Sequence, residues 1–140
     1  MRFYRSLLFS MLSFCLFLPS FAAATDGSAG MKKIRVDIDS SGRRIELNAG
    51  DEIQIELQGV GGTGYAWYFD ELDHDFFELI DEERRIQEKG GESVGSPTLV
   101  TWTFKAKKAG KSVIRMSYYR VWEGKDKALR RFELEVNAVP

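Results

Sequence analysis

Short runs in which apolar and polar residues alternate recur throughout residues 34–136 of this chain. The alternation is clearest in Ile-Gln-Ile-Glu-Leu at 53–57 and in Val-Thr-Trp-Thr-Phe at 100–104. Successive side chains of a β-strand point to opposite faces of a sheet, so a period of two predicts strands with one buried face. Turn residues separate the runs at intervals of roughly ten residues. The pattern therefore predicts an all-β fold, an immunoglobulin-like antiparallel β-sandwich.

The predicted strands cover 34–38, 45–47, 53–57, 65–69, 76–80, 100–104, 114–118 and 132–136. Trp67 and Trp102 fall within two of these patterns, and we expect them in the core or packed at a sheet edge. Residues 70–88 are less regular, because Asp-Glu-Glu-Arg-Arg at 81–85 is also compatible with a helical turn.

Residues 1–24 have the pattern of an export signal. Arg2 and Arg5 precede an apolar stretch from Ser6 to Phe21, and three alanines at 22–24 supply the small residues before a cleavage site. The apolar stretch is short for a membrane span, and no second stretch follows it. We therefore expect a periplasmic or secreted protein with no stable membrane anchor after cleavage.

Cleavage after Ala24 leaves 116 of the 140 residues, which suits one domain over 31–140 behind a flexible leader at 25–30. The chain has 20 Lys and Arg against 21 Asp and Glu, and the signal removes two arginines, so the mature net charge is −3. That balance argues against a nucleic-acid partner. Cys15, the single cysteine, leaves with the signal. The mature chain is thus expected to be a monomer without disulfides, thiolate metal sites or cofactors.

A glycine-rich stretch from Gly59 to Gly64 separates two predicted strands. Gly59, Gly61 and Gly64 match the Gly-x-Gly-x-x-Gly dinucleotide fingerprint, but that site requires a helix after the glycines. Tyr-Ala-Trp-Tyr-Phe at 65–69 favours a strand instead, so nucleotide binding is not expected. Two interpretations stay open at this point, a loop that presents its backbone and the Thr63 hydroxyl to a partner and a glycine-rich hairpin without a role.

Two further loops are expected at the same end of the sandwich, because alternate connections gather there. One contains Gly95-Ser96-Pro97, and the other runs from Tyr119 to Gly124 and contains Arg120 and Trp122. Trp, Tyr and Arg dominate binding hot spots, so an exposed Trp122 suggests a contact surface. The alternative is that Trp122 folds back to cap the core.

Catalysis is not expected from this sequence. His74 is the only histidine, it lies in an acidic stretch, and no recognisable nucleophile accompanies it. Adjacent Asp73 and Asp75 do not complete a metal site with it. A glycan- or ligand-binding immunoglobulin-like module is a function that these residues allow, because sandwich loops with Trp, Tyr and Arg also bind sugars.

The three loops together resemble those of the chagasin-like inhibitors of papain-type cysteine proteases. The family pattern is Asn-Pro-Thr-Thr-Gly-aromatic-Ala-Trp, then Gly-x-Gly-Gly, then Arg-Pro-Trp. Here the first motif becomes residues 60–67, the second 95–98 and the third 120–122. Val60-Gly61 stands in place of Asn-Pro, Gly62 in place of a threonine, and Val121 in place of the last proline. The resemblance covers about residues 32–137.

The resemblance implies an immunoglobulin-type sandwich whose loops plug the protease cleft without being cleaved. Thr63 and Gly64 would approach the catalytic Cys and His, with the second loop on one side of the cleft and the third on the other. The protease-binding residues that it implies are Gly62, Thr63, Gly64, Tyr65, Gly95, Ser96, Pro97, Arg120 and Trp122.

Overall fold

Two four-stranded β-sheets form the protein in the computed structural model, which describes residues 30–87 and 95–140. One sheet contains, in spatial order, β1 (Lys33–Val36), β3 (Glu52–Val60), β6 (Pro97–Ala106) and β5 (Phe77–Ile86). The other contains β2 (Arg43–Asn48), β8 (Arg130–Val139), β7 (Gly110–Tyr119) and β4 (Ala66–Glu71). Short 3-10 turns lie at Ile38–Ser40 and Lys125–Lys127.

The predicted immunoglobulin-like β-sandwich is confirmed. The pairs β3–β6, β5–β6, β4–β7 and β7–β8 are antiparallel. The two N-terminal strands differ from a purely antiparallel arrangement, because β1 pairs with β3 and β2 pairs with β8 in parallel. The chain crosses from one sheet to the other between β1 and β2.

The predicted signal at 1–24 and all of the predicted leader except Gly30 lie outside the described residues. Within 30–87 and 95–140, no helix is long and apolar enough to cross a membrane.

The inward-facing residues of the alternating runs form one core between the sheets. Ile55, Leu57 and Phe104 are fully buried, and Trp102 is nearly so. Burying a side chain of this size stabilises a fold by about 1.5–3 kcal/mol. Trp67 also belongs to the core, and its indole N–H donates to the Gln58 carbonyl at 3.0 Å. The predicted placement of both tryptophans is confirmed.

The segment at 81–85 is a strand and not a helical turn. It continues β5 to Ile86, paired with β6 from Phe77↔Ala106 to Ile86↔Thr98, with a register shift between Leu79 and Asp81. Pairing along the whole of β6 satisfies one row of backbone groups and overrides the local charge pattern, which gave no indication of a strand.

Asp51 stabilises the end of the sandwich opposite the glycine-rich loop. It is 5% exposed, and its carboxylate accepts the N–H groups of Lys32 and Asn48, each at 2.9 Å. The hydrogen bonds from Asn48 and Lys32 lower the pKa of Asp51 below its ordinary value of 3.8. The ionised carboxylate therefore stabilises the fold above pH 3.8, and this contribution is lost as the pH falls through the lower folded-state pKa.

We predict that Asp51→Asn lowers the free energy of unfolding at pH 7 by about 1.5–3 kcal/mol, the range for hydrogen bonds to charged groups. The difference from wild type should shrink as the pH falls below 3.8, because Asp51 is protonated there in the unfolded chain, and it should vanish once the pH has passed the lower pKa of the folded protein. Urea unfolding from pH 7 down to about pH 2 measures both effects. Asp39→Asn, the same change at an exposed position, is the control. A difference that stays constant with pH would contradict the assignment.

Candidate functional site

Three connections meet at one end of the sandwich. Loop 1 (residues 61–65) joins β3 to β4, loop 2 (residues 87–96) joins β5 to β6, and loop 3 (residues 120–129) joins β7 to β8. Val60 pairs with Pro97, and Ala66 pairs with Tyr119, so the strand ends that carry the three loops lie side by side. The predicted convergence of the three loops is therefore observed for the residues that the structure describes.

Loop 1 is a tight turn that exposes backbone. Gly62 and Gly64 have φ angles of +74° and +78°, in the region that favours glycine. The Thr63 hydroxyl donates to the Val60 carbonyl at 2.8 Å. We expected this hydroxyl to face outward, but its proton closes the turn. The exposed part of the loop is therefore the backbone of the two glycines.

Backbone hydrogen bonds join loop 1 to loop 2. The Gly61 N–H donates to the Ser96 carbonyl, and the Gly95 N–H donates to the Gly61 carbonyl, both at 2.9 Å. These bonds extend the β3–β6 ladder beyond Val60↔Pro97. Gly95 and Pro97 are exposed beside loop 1. The position of the described part of loop 2 is thus set by the same hydrogen bonding that forms the sheet.

Arg120 joins loop 1 to loop 3. Its Nε–H donates to the Thr63 carbonyl at 2.8 Å, and its guanidinium carbon lies 4.4 Å from the centroid of the Tyr65 ring. Its Nη1 is 3.3 Å from Glu123 Oε1. A hydrogen bond, a cation–π contact and an ion pair therefore meet on one side chain. These contacts hold loop 1 in shape.

Trp122 lies on the surface above loop 1. It is 69% exposed, so the interpretation that it caps the core is wrong. Its indole covers Gly64: a Cβ on that glycine would lie 2.1 Å from Trp122 Cη2. Glycine at this position therefore permits both the left-handed backbone and the indole above it.

Sequence reasoning missed Tyr118, which supports loop 1 from below. Its hydroxyl oxygen accepts the Val60 N–H at 2.8 Å, and its ring stacks on Tyr65 at a centroid distance of 5.5 Å. The alternation placed Tyr118 on an inward face, but no local signal pairs it with a backbone group 58 residues away. Tyr65, predicted as a contact residue, is half-buried between this ring and Arg120.

The same region offers no catalytic arrangement in the part of the chain that the structure describes. His74 is exposed in the turn between β4 and β5, away from the three loops. Across 30–87 and 95–140, no three His, Cys, Asp or Glu side chains are grouped so that they could hold a metal ion. The site is therefore suited to binding through backbone and aromatic surface.

Comparison with known proteins points to one family. Residues 46–136 match the family model described as "Chagasin family peptidase inhibitor I42". Amoebiasin-2 of Entamoeba histolytica is 29% identical over 92 residues, which cover 66% of this chain and 74% of that protein.

Solved structures agree in fold. The cysteine protease inhibitor EhICP2 of Entamoeba histolytica is 25% identical, with a TM-score of 0.71 over 79% of this chain and 98% of that one. Amebosin is 21% identical, with a TM-score of 0.55 over 79% and 100% of the two chains, and this likeness concerns the fold alone.

We predict that Gly64→Ala displaces the Trp122 indole while the fold persists. The new Cβ overlaps the far end of an exposed side chain, which can swing aside. The backbone strain should lower the free energy of unfolding by about 1–2 kcal/mol. Gly95→Ala is the matched control, because its φ is +97° but no atom of the residues that the structure describes lies within 4 Å of its Cβ position.

Two measurements test this prediction, the indole N–H resonance of Trp122 and urea unfolding. The resonance should shift in Gly64→Ala and stay in place in Gly95→Ala, with similar stability losses in both. An unmoved resonance would contradict the contact. A collapse of stability in Gly64→Ala alone would make the glycine a requirement of folding.

Proposed function

Since this chain belongs to the chagasin family of peptidase inhibitors, we propose that it inhibits papain-type cysteine proteases by plugging their active-site cleft with loops 1, 2 and 3. The inhibition is reversible, and the inhibitor is not cleaved. The family consists of inhibitors, so the prediction that the chain is not an enzyme is confirmed. The cysteine protease class is supported by EhICP2, which is itself named a cysteine protease inhibitor.

The observation that carries the proposal is the bonding of loop 1 to both of its neighbours. Gly61 exchanges backbone hydrogen bonds with Gly95 and Ser96, and the Thr63 carbonyl accepts from Arg120. Loops ordered before binding lose less entropy on association. Loop 1, residues 95–96 of loop 2 and loop 3 therefore meet the protease as one preformed edge, even though the prolines of the first and third family motifs are absent.

Resistance to cleavage follows from the same contacts. A protease attacks a carbonyl that enters its oxyanion hole. The Thr63 carbonyl is already hydrogen-bonded to the Arg120 guanidinium at 2.8 Å. Thr63 and Gly64 thus approach the catalytic Cys and His with a carbonyl turned toward the inhibitor's own interior. Loop 1 therefore occupies the cleft without presenting the Thr63–Gly64 bond for attack.

The outer loops contact opposite walls of the cleft. Gly95, Ser96 and Pro97 lie on one side of loop 1, and Trp122 lies on the other side above Gly64. A typical protease–inhibitor contact covers about 800 Å² on each partner. An exposed indole beside a backbone-rich edge is the kind of anchor that supplies most of the energy of such a contact.

The partner is one protease molecule, and the inhibitor acts as a monomer. The exposed edge strand β5 carries six charged residues between Phe77 and Ile86 and a register shift between Leu79 and Asp81. Charges and bulges at an edge oppose pairing with another strand.

The function is tested by titrating the mature protein into papain and into trypsin. We predict inhibition of papain with a measurable inhibition constant and none of trypsin, because the edge formed by the loops fits the first cleft. Comparable inhibition of both enzymes, or no inhibition of any papain-type protease, would contradict the proposal.

Within that titration, Trp122→Ala should weaken papain binding by about 2–4 kcal/mol, the hot-spot range. Its effect on folding should stay below about 1 kcal/mol, because the side chain is exposed. Trp102→Ala is the matched core control, with an expected loss of about 3–5 kcal/mol in stability. Unchanged binding by folded Trp122→Ala would remove loop 3 from the contact.

We also propose export to the periplasm or the medium, with cleavage near Ala24. The basic residues, apolar stretch and alanines at the N-terminus support this proposal. N-terminal sequencing of the protein from the cells that make it should begin near Thr25. A soluble cytoplasmic protein that retains Met1 would contradict export.

A further inference from the structure

The surface of loop 3 exposes three large apolar side chains, one of them in the return arm of the loop, residues 125–129. Val121, Trp122 and Leu129 are 63%, 69% and 62% exposed. Val121 and Trp122 belong to the loop motif already described, but Leu129 has no role in it.

Hydrogen bonds fix the return arm, so Leu129 is exposed on an ordered segment of the loop. The Leu129 N–H donates to the Tyr118 carbonyl at 2.9 Å, and the Lys127 N–H donates to the Gly124 carbonyl at 3.1 Å. Lys125 Nζ lies 3.0 Å from Asp70 Oδ1, which attaches the arm to β4. The surface is therefore preformed.

A shallow pocket of about 420 Å³ lies on this surface, lined by Tyr65, Glu123, Lys127 and Leu129. The Glu123 carboxylate is already paired with Arg120 at 3.3 Å. Lys127 has no ion-pair partner among the residues that the structure describes. The pocket thus combines apolar walls with one available positive charge.

The pocket is continuous with the edge formed by the loops. Tyr65 directly follows Gly64, which lies beneath Trp122, and Glu123 follows Trp122. A protease that contacts loops 1 and 3 will place the rim of its cleft over the pocket.

We infer that this pocket is a recognition subsite that receives an acidic side chain from the rim of the protease cleft. Its carboxylate pairs with Lys127, and its methylene groups pack on Leu129 and the Tyr65 ring. Such a pair favours partners with a matching charge and speeds association. The inference rests on the proposed function and adds to it a determinant of partner choice outside the three family motifs.

The test compares Lys127→Glu and Leu129→Ser with wild type in inhibition of papain at low and physiological ionic strength. Each variant should raise the inhibition constant about tenfold or more, and Lys127→Glu should also slow association, most at low salt. Lys108→Glu, the same charge change at the opposite end of β6, should stay within about twofold of wild type. All three side chains are exposed, and urea unfolding verifies that the variants fold.

The outcomes separate the two claims. Wild type that fails to inhibit papain contradicts the proposed function itself. Wild type that inhibits, with both variants matching Lys108→Glu, overturns only the subsite. Weaker inhibition by Lys127→Glu alone indicates a long-range electrostatic effect of its charge. Weaker inhibition by Leu129→Ser alone indicates an apolar contact without an acidic partner. Either result also overturns the subsite.

Discussion

The contact between Arg120 and loop 1 is the interaction on which the site depends. One guanidinium donates to the Thr63 carbonyl at 2.8 Å, covers the Tyr65 ring at 4.4 Å and pairs with Glu123 at 3.3 Å. Arginine performs this combination because its planar, delocalised cation bonds and stacks at once. Without Arg120, loop 1 would lose its contacts with loop 3, and glycine at three of its five positions makes its backbone conformationally permissive.

The sandwich supplies the second constraint. The β3–β6 ladder continues through Gly61 into Gly95 and Ser96, so loop 1 and residues 95–96 of loop 2 share the rigidity of the sheet. Tyr118 supports loop 1 from the core side, since its hydroxyl oxygen accepts a hydrogen bond from the Val60 N–H and its ring stacks on the Tyr65 ring. The prolines of the first and third family motifs are absent here, and hydrogen bonds and stacked rings hold the loops in place.

Much of the fold was predictable because a strand with one buried face alternates apolar and polar residues, as at 53–57 and 100–104. The glycines and the Arg-x-Trp motif likewise located the loops. The strand at 81–85 was not predictable, since its side chains are exposed on both faces and only its pairing with β6 makes it a strand. The contacts of Arg120 with Thr63 and of Tyr118 with Val60 join residues 57 and 58 positions apart, which no local pattern encodes.

Amide hydrogen exchange, recorded with and without a papain-type protease whose catalytic cysteine is replaced by alanine, tests the central claim most directly. If loops 1, 2 and 3 form the contact surface, exchange should slow at residues 61–64, 95–96 and 120–124 together. The sheets and the opposite end around Asp51 should be unchanged. Protection confined to β5 or to the opposite end, with the three loops unaffected, would contradict the account.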